Sequence, residues 1–259
     1  MEKPMLAHSW DKYSHKIEYP CYVQPKLDGM RCLAVREGDT IRYYSRALKE
    51  VKTVRHLDAR LLQVMKDGDV FDGELYLHGT DFQKLISLVK REQDGTKEVK
   101  FNVYDMYSDL PFNVRHYELS RLGIDLVPNT LCRSEEDIEK VHREFVSAGY
   151  EGTMIRNINS EYKHARSFDL LKKKDWFDEE YTIVDIVEGK GKFKGCAVFI
   201  CINESKTFAV TSPGTVESKR RFWEEKSAYI GREVTVKYQE KTNAGIPRFP
   251  ICVGVRDYE

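Results

Sequence analysis

The sequence predicts an α+β protein in two parts, antiparallel sheets with flanking helices over residues 1–178 and a small β-barrel over 179–259. Three observations carry this. Short β-like runs rich in Val, Tyr, Phe and Cys recur at 21–26, 32–36, 41–45, 70–77, 100–107, 153–156 and 168–174. Helix-spaced apolar residues fill several of the intervals between them. Near Asp178–Tyr181 the texture changes to strands at 181–188, 196–203, 206–210, 232–239 and 251–256, with one helical stretch at about 215–228.

The helices follow from spacing and from end signals. Residues 51–65 place Val54, Leu57, Leu61 and Met65 near helical spacing, and 81–91 do the same with Phe82, Leu85, Ile86 and Val89. Ser134 followed by Glu135, Glu136 and Asp137 predicts a third helix over 134–148, because a helix start favours a hydroxyl cap and acidic residues. In the second part, five strands with a helix between the third and fourth is the outline of an OB barrel, a small fold that often binds nucleic acid. No Pro/Gly-rich linker marks the boundary.

Composition narrows the function classes. At 259 residues, with 41% hydrophobic and 32% charged, the chain can bury a core and stay soluble. No apolar run is long enough to span a bilayer, and MEKPMLAHSW contains no secretory h-region. Six scattered cysteines without a Cys-x-x-Cys pair suit reduced thiols in a cytoplasmic protein. The 42 basic and 42 acidic residues cancel, which argues against a globally basic nucleic-acid binder. Residues 181–259 carry 13 Lys+Arg against 10 Asp+Glu, and residues 1–180 carry 29 against 32. Any polyanion site is therefore a local patch.

The chemistry concentrates in Lys26-Leu27-Asp28-Gly29-Met30-Arg31. Burying an ammonium is costly, so a lysine between two strand-like runs makes sense if its amine reacts. Asp28 can position that amine, Gly29 lets backbone approach a ligand, and Arg31 can grip a phosphate. Other segments have a related design. Phe71-Asp72-Gly73-Glu74-Leu75 and Glu151-Gly152-Thr153-Met154-Ile155-Arg156 place glutamates beside glycines at strand starts. In Leu170-Leu171-Lys172-Lys173-Lys174 alternation puts Lys172 and Lys174 on one face. Such a set can perform nucleotidyl transfer. A lysine amine attacks the α-phosphate of a nucleoside triphosphate, carboxylates hold a divalent metal or the ribose, and further lysines neutralise phosphate charge.

Each residue also has a plainer reading in isolation. Lys26 could be a solvated turn lysine, Phe101 a core residue, and Glu74 and Glu151 turn carboxylates. Arg46 could be a surface arginine, and Lys172–Lys174 a charged edge strand. Residues 189–195, GKGKFKG, read equally as a solvated loop or as a DNA-backbone contact.

Taken in order, KLDGMR, YYSRALK, FDGEL, FNVYDM, EGTMIR, LLKKK and RFPICVGVRD resemble the motif series of the ATP-dependent DNA ligases, within the covalent nucleotidyltransferase superfamily. The resemblance spans residues 4 to 257, and the length is similar to that of the compact ligases of viruses, phages and some bacteria. It implies a nucleotidyltransferase domain with ATP-grasp-like antiparallel sheets over 1–178, and an OB-fold DNA-binding domain over 179–259. It implies that Lys26 becomes adenylylated, that Asp28 activates it and holds metal, and that Arg31 meets the nick 5′-phosphate. Arg46 would meet the phosphate and 3′-OH side, Glu74 the ribose, and Phe101 would stack on adenine, with Gln24 a further candidate for adenine recognition. Glu151 would bind Mg²⁺ or Mn²⁺, and Lys172 and Lys174 would hold the α-phosphate. Arg248 and Arg256 would orient the pyrophosphate of ATP. The implied activity is sealing 5′-phosphate/3′-OH nicks in duplex DNA through lysyl–AMP and DNA-adenylate, by a monomer without membrane partners, in the cytoplasm (of the host, for a viral chain). An RNA ligase and a GTP-dependent mRNA capping guanylyltransferase are the alternatives within the superfamily.

Overall fold

A computed structural model of the chain describes residues 2–242 and 244–256. Contacts divide the chain after Lys174 into two units. The first contains, in order, β1 (Leu6–Ser9), α1 (Trp10–Tyr13), β2 (Cys21–Lys26), β3 (Met30–Glu37), β4 (Thr40–Ser45), β5 (Glu50–Val51), α2 (Asp58–Val64) and β6 (Val70–Tyr76). It continues with α3 (Phe82–Lys90), β7 (Lys100–Met106), α4 (Phe112–Ser120), β8 (Thr130–Cys132), α5 (Glu135–Ser147), β9 (Gly152–Asn157) and β10 (Arg166–Lys173).

These strands form two five-stranded sheets, ordered β5-β4-β3-β6-β7 and β1-β10-β9-β2-β8. Every ladder is antiparallel except β1 with β10, which is parallel. Alternation along the first sheet buries Cys32, Ala34, Ile41, Tyr43, Phe71, Leu75, Phe101 and Val103 on one face. Against that face α2 and α3 bring Leu61, Leu85, Leu88 and Val89. Ser134 caps its helix as its sequence signal predicts, and Asp81 caps α3 without having been singled out. Asp81 accepts from the amides of Gln83 and Lys84 at 2.7 and 3.1 Å, and Ser134 Oγ accepts from Asp137 N at 3.2 Å.

Four differences from the sequence expectation have physical causes. The 51–65 stretch is not one helix. Val51 pairs with Tyr43 in β5, a 3₁₀ turn covers Arg55–Leu57, and the helix begins at Asp58. Its apolar spacing reported burial correctly, since Val54, Leu61 and Met65 are all core residues. β1 escaped notice because four half-buried residues depend on a partner strand some 160 positions away. α4 escaped because its buried stripe, Phe112, Arg115 and Leu119, is interrupted by an arginine. β8, three residues long, depends likewise on pairing with β2.

Arg115 belongs to a buried ion network. Its guanidinium donates to Asp105 Oδ1 and Oδ2 at 2.7 and 3.1 Å. Arg156 Nη1 donates to the same carboxylate at 2.7 Å, and Arg156 Nε donates to Gln24 Oε1 at 3.0 Å. Asp105 lies on β7 of one sheet, while Arg156 and Gln24 lie on β9 and β2 of the other. The carboxylate thus ties the two sheets together.

The second unit contains β11 (Phe177–Glu188), β12 (Ala197–Asn203), β13 (Lys206–Thr211), α6 (Val216–Glu224), β14 (Glu233–Tyr238), β15 (Glu240–Lys241), β16 (Pro247–Arg248) and β17 (Ile251–Val255). The helix falls between the third and fourth strands, as the sequence predicts. Thr215 caps it by accepting from Ser218 N at 3.2 Å, and Phe222 and Trp223 pack on the sheet's core. The sheet runs β13-β12-β11-β14-β17. Among the described residues no ladder joins β13 to β17, so the expected barrel is an unclosed, OB-like sheet. The strand that bends it is β11. Its first half pairs with β14 and its second half with β12, and the register shifts between Ile183 and Asp185. Residues 189–195 form the β11–β12 connection, with Lys190, Lys192 and Lys194 exposed. Among the described residues no helix is long and apolar enough to cross a membrane.

Replacing Asp105 by Ala would leave two guanidinium groups buried without their carboxylate. It is expected to cost about 3–5 kcal/mol, read as a lowered denaturation midpoint in urea.

Candidate active site

The end of β2 positions Lys26. In the β2–β9 ladder Lys26 lies opposite Gly152, and Glu151 N donates to Lys26 O at 2.9 Å. That register sets the Glu151 carboxylate against the Lys26 ammonium, which donates to Oε2. Lys174, just past β10, pairs with the other oxygen, Oε1. Gly152 makes the arrangement possible. Its φ is +150°, and a Cβ there would lie 2.3 Å from Lys173 O. The predicted alternation holds in β10: Lys173 turns away to Glu139 at 3.0 Å, while Lys172 and Lys174 lie within electrostatic reach of Lys26.

These charges tune one another. Burial works against ionised Glu151, yet the Lys26 and Lys174 ammoniums outweigh it and hold the carboxyl below its ordinary range. The Lys172 ammonium is pushed down by burial and by Lys174 and Lys26. The Lys174 ammonium is pushed down by burial first, against the pull of Glu151. Asp28 sits close enough to favour the charged form of Lys174.

The other wall comes from β3, β6 and β7. The sequence reading gives Gly29 the task of making room for a ligand, but it makes room for the protein. A Cβ there would meet Leu75 O at 2.5 Å and Glu74 Cγ at 2.6 Å, so the lysine-bearing turn packs directly on the glutamate strand. Arg31 Nε donates to Asp72 Oδ1 at 2.9 Å, and its Nη2 pairs with Oδ2. Asp72 is fully buried and also accepts from Tyr162 OH at 2.6 Å. Burial disfavours the Arg31 charge, but Asp72 more than compensates and holds the guanidinium protonated. Burial raises the Glu74 carboxyl to about 7, against the opposing pull of Lys26 and Arg31.

The ring expected at adenine, Phe101, is elsewhere. It pairs with Leu75, is 4% exposed, and belongs to the core on the sheet face opposite Glu74. Further along β7 the register shifts, with Asp72 opposite Asp105 and Gly73 opposite Val103. Tyr104 is the extra residue, and this bulge reverses the facing of the residues beyond it. Tyr104 OH donates to Glu74 Oε2 at 3.3 Å, and the Arg31 guanidinium lies 5.5 Å from the centre of its ring. Sequence reasoning missed Tyr104, Asp72, Arg156 and Tyr162. The aromatic–acid pair Tyr104-Asp105 within FNVYDM was the available signal for the first.

Four further expected residues lie away from the Lys26 cluster. Gln24 is 1% exposed, accepting from Arg156 and donating to Val127 O at 3.4 Å. Arg46 is exposed just beyond β4. Since Cys32 pairs with Ser45, the register brings it alongside Arg31. Arg248 and Arg256 are in the second unit, paired with Glu240 and with Glu180 (2.8 Å) respectively. Asp257, which ends the last motif, lies outside the described residues.

This chain belongs to the ATP-dependent DNA ligase family: residues 4–174 match the ATP dependent DNA ligase domain and residues 188–256 the DNA ligase OB-like domain. It is 31% identical over 265 residues to the DNA ligase of African swine fever virus, covering 91% of this chain and 63% of that one. The chain therefore spans somewhat less than two thirds of that relative's length. Among solved structures it resembles Pmar-Lig_Pre (20% identity, TM-score 0.88, 99% of this chain and 68% of that one). A structure described as "DNA binding with a minimal scaffold: Structure-function analysis of Lig E DNA ligases" matches at 23% identity and TM-score 0.84, covering 99% and 100%. These two likenesses establish the fold.

The Glu74 environment makes stability pH-dependent. Its carboxyl ionises near 4.5 when solvated and at about 7 when folded. Between those values the folded state holds the extra proton, so this group's contribution to stability falls as pH rises through the window. Glu74→Gln should therefore match the parent chain below about pH 4.5. It should gain on it progressively up to pH 7, by at most about 3 kcal/mol, read from urea unfolding at stepped pH.

Proposed function

We propose that this chain is an ATP-dependent DNA ligase that seals 5′-phosphate/3′-OH nicks in duplex DNA. The observation that carries this is the cluster at the ends of β2, β9 and β10. There Lys26 shares the Glu151 carboxylate with Lys174, beside Lys172 and facing Glu74 and Tyr104. Family membership supports ATP as the nucleotide and DNA as the acceptor.

In the first step the Lys26 ammonium, held by Glu151, gives up a proton to solvent. The Nζ lone pair then attacks the α-phosphorus of ATP. The N–P bond forms as the bond to the β-phosphate oxygen breaks, and pyrophosphate leaves. In the second step a 5′-phosphate oxygen of the nick displaces the lysine amine from the AMP phosphorus. In the third the 3′-OH attacks the 5′-phosphate, loses its proton and expels AMP. Lys172 and Lys174 neutralise the phosphate oxygens in the transition state. Arg31, anchored by Asp72, keeps Nη1 outside that pair for a nick phosphate, with Arg46 beside it. Tyr104 is the base platform, in place of Phe101, and Glu74 binds the ribose. Gln24, fixed by Arg156, borders the base site. Arg248 and Arg256 serve the pyrophosphate of ATP.

Among the described residues no group of three or more His, Cys, Asp or Glu side chains could hold a metal. The donors present suit Mg²⁺ or Mn²⁺ in the mode in which one or two carboxylates share the ion with substrate phosphates. Glu151 and Asp28 would hold it, and the ion would supply further charge neutralisation on the phosphates. In this reading residues 1–178 are the adenylation domain, and 179–259 the DNA-binding OB domain, whose exposed Lys190, Lys192 and Lys194 suit phosphate contact. The enzyme acts as a monomer in the cytoplasm, in keeping with its six free, buried cysteines.

The deciding experiment incubates the chain with labelled ATP or GTP, then with nicked DNA or RNA duplexes. A covalent adduct from ATP and sealing of nicked DNA are expected, and Lys26→Ala should abolish both. An adduct from GTP alone would overturn the reading in favour of capping chemistry, and sealing confined to RNA would favour an RNA ligase.

The two aromatic positions separate cleanly. Tyr104→Ala should raise the KM for ATP about five-fold, as expected for loss of about 1 kcal/mol of stacking. Phe101→Ala should cost about 3–5 kcal/mol of stability and leave that KM unchanged at temperatures where the variant is folded.

A further inference from the structure

At the edge of the β1-β10-β9 sheet, outside the cluster around Lys26, the parallel β1–β10 ladder breaks. Ala7 pairs with Ser167 but His8 with Leu171, so residues 168–170 are looped out of it. This brings aromatic rings to the surface. Phe168 is 41% exposed. The His8 imidazole stacks on it at 4.1 Å between centres and 7° between planes. Tyr13 meets both rings edge-on, at 5.0 Å from Phe168 and 4.8 Å from His8.

Cations frame these rings. Lys16 Nζ lies 5.8 Å from the centre of Phe168. The exposed Arg166 donates to Ala7 O, which fixes it at the base of the loop. The one acid in the loop, Asp169, is already neutralised, because its carboxylate accepts from Lys163, Ser167 and Asn157. Along β10 the positive charge continues from Arg166 to Lys172, and so to the Lys26 cluster.

An exposed hydrocarbon platform flanked by fixed cations, continuous with a phosphate-handling site, matches one kind of partner. Resting on the ligase reading above, we infer that the His8–Phe168–Tyr13 platform with Lys16 and Arg166 is a docking surface for the sugar–phosphate backbone of duplex DNA leading away from the nick. Lys16 and Arg166 meet phosphates, which position without reading sequence. The rings take the apolar face of a deoxyribose.

The test is binding of the full chain to a nicked duplex, followed by fluorescence anisotropy over a range of NaCl concentrations. Lys16→Ala should lower the slope of log K against log salt by about 0.9, the signature of one lost phosphate contact. Phe168→Ser should weaken binding about five-fold at unchanged slope. Both variants should form the ATP adduct like the parent chain, which also shows them folded. Parental binding retained in both variants would overturn this surface alone. Failure of the parent chain to bind nicked duplex would overturn the DNA reading on which it rests.

Discussion

Inside the first unit one carboxylate, Asp105, carries two guanidinium groups, Arg115 from α4 and Arg156 from β9. All three side chains are almost wholly buried, so none can turn to water for compensation. Such a network is costly to build and more costly to break, because removing one member strands the others. Its value here is geometric. Lys26, Glu151 and Lys174 belong to one sheet, and Glu74, Arg31 and Tyr104 to the other. Both walls keep their spacing because Asp105 on β7 is held to Arg156 on β9, and Arg156 in turn holds Gln24 on the lysine strand.

A second constraint acts at closer range. Glycines sit where backbone must approach backbone or side chain: Gly29 against Glu74 and Leu75, Gly152 against Lys173 O, and Gly73 against Phe101 and Asn102. At Gly29 and Gly152 a lysine turn and a glutamate strand close on their neighbours, bringing together charges that repel or attract strongly. The carboxylate of Glu151 ends up shared by two ammoniums, and that of Glu74 buried enough to hold its proton to about pH 7.

Much of this was legible in the sequence, and the illegible parts have a common cause. Lys26, Glu151 and the Lys172/Lys174 alternation follow from local spacing, as do the helices that begin near Asp81 and Ser134. The five strands and helix of the second unit did too. What failed depended on partners far away in the chain. Val51 is extended because Tyr43 pairs with it. Arg115 is inside because Asp105 awaits it. Whether the second unit closes depends on its edge strands β13 and β17, and no ladder joins them among the described residues. Phe101 was expected at adenine from the resemblance alone, and it lies upstream of the bulge at Tyr104, on the core face of β7.

That bulge bears on how the gene can vary. Upstream of it β7 feeds the apolar core through Phe101 and Val103, and downstream it supplies Asp105 to the polar network. Deleting one residue there, or adding one, would exchange the two faces, sending a carboxylate into hydrocarbon or leaving two arginines stranded. Insertions and deletions, common in loops such as 189–195, should therefore be purged from this stretch even when every individual substitution in it is conservative.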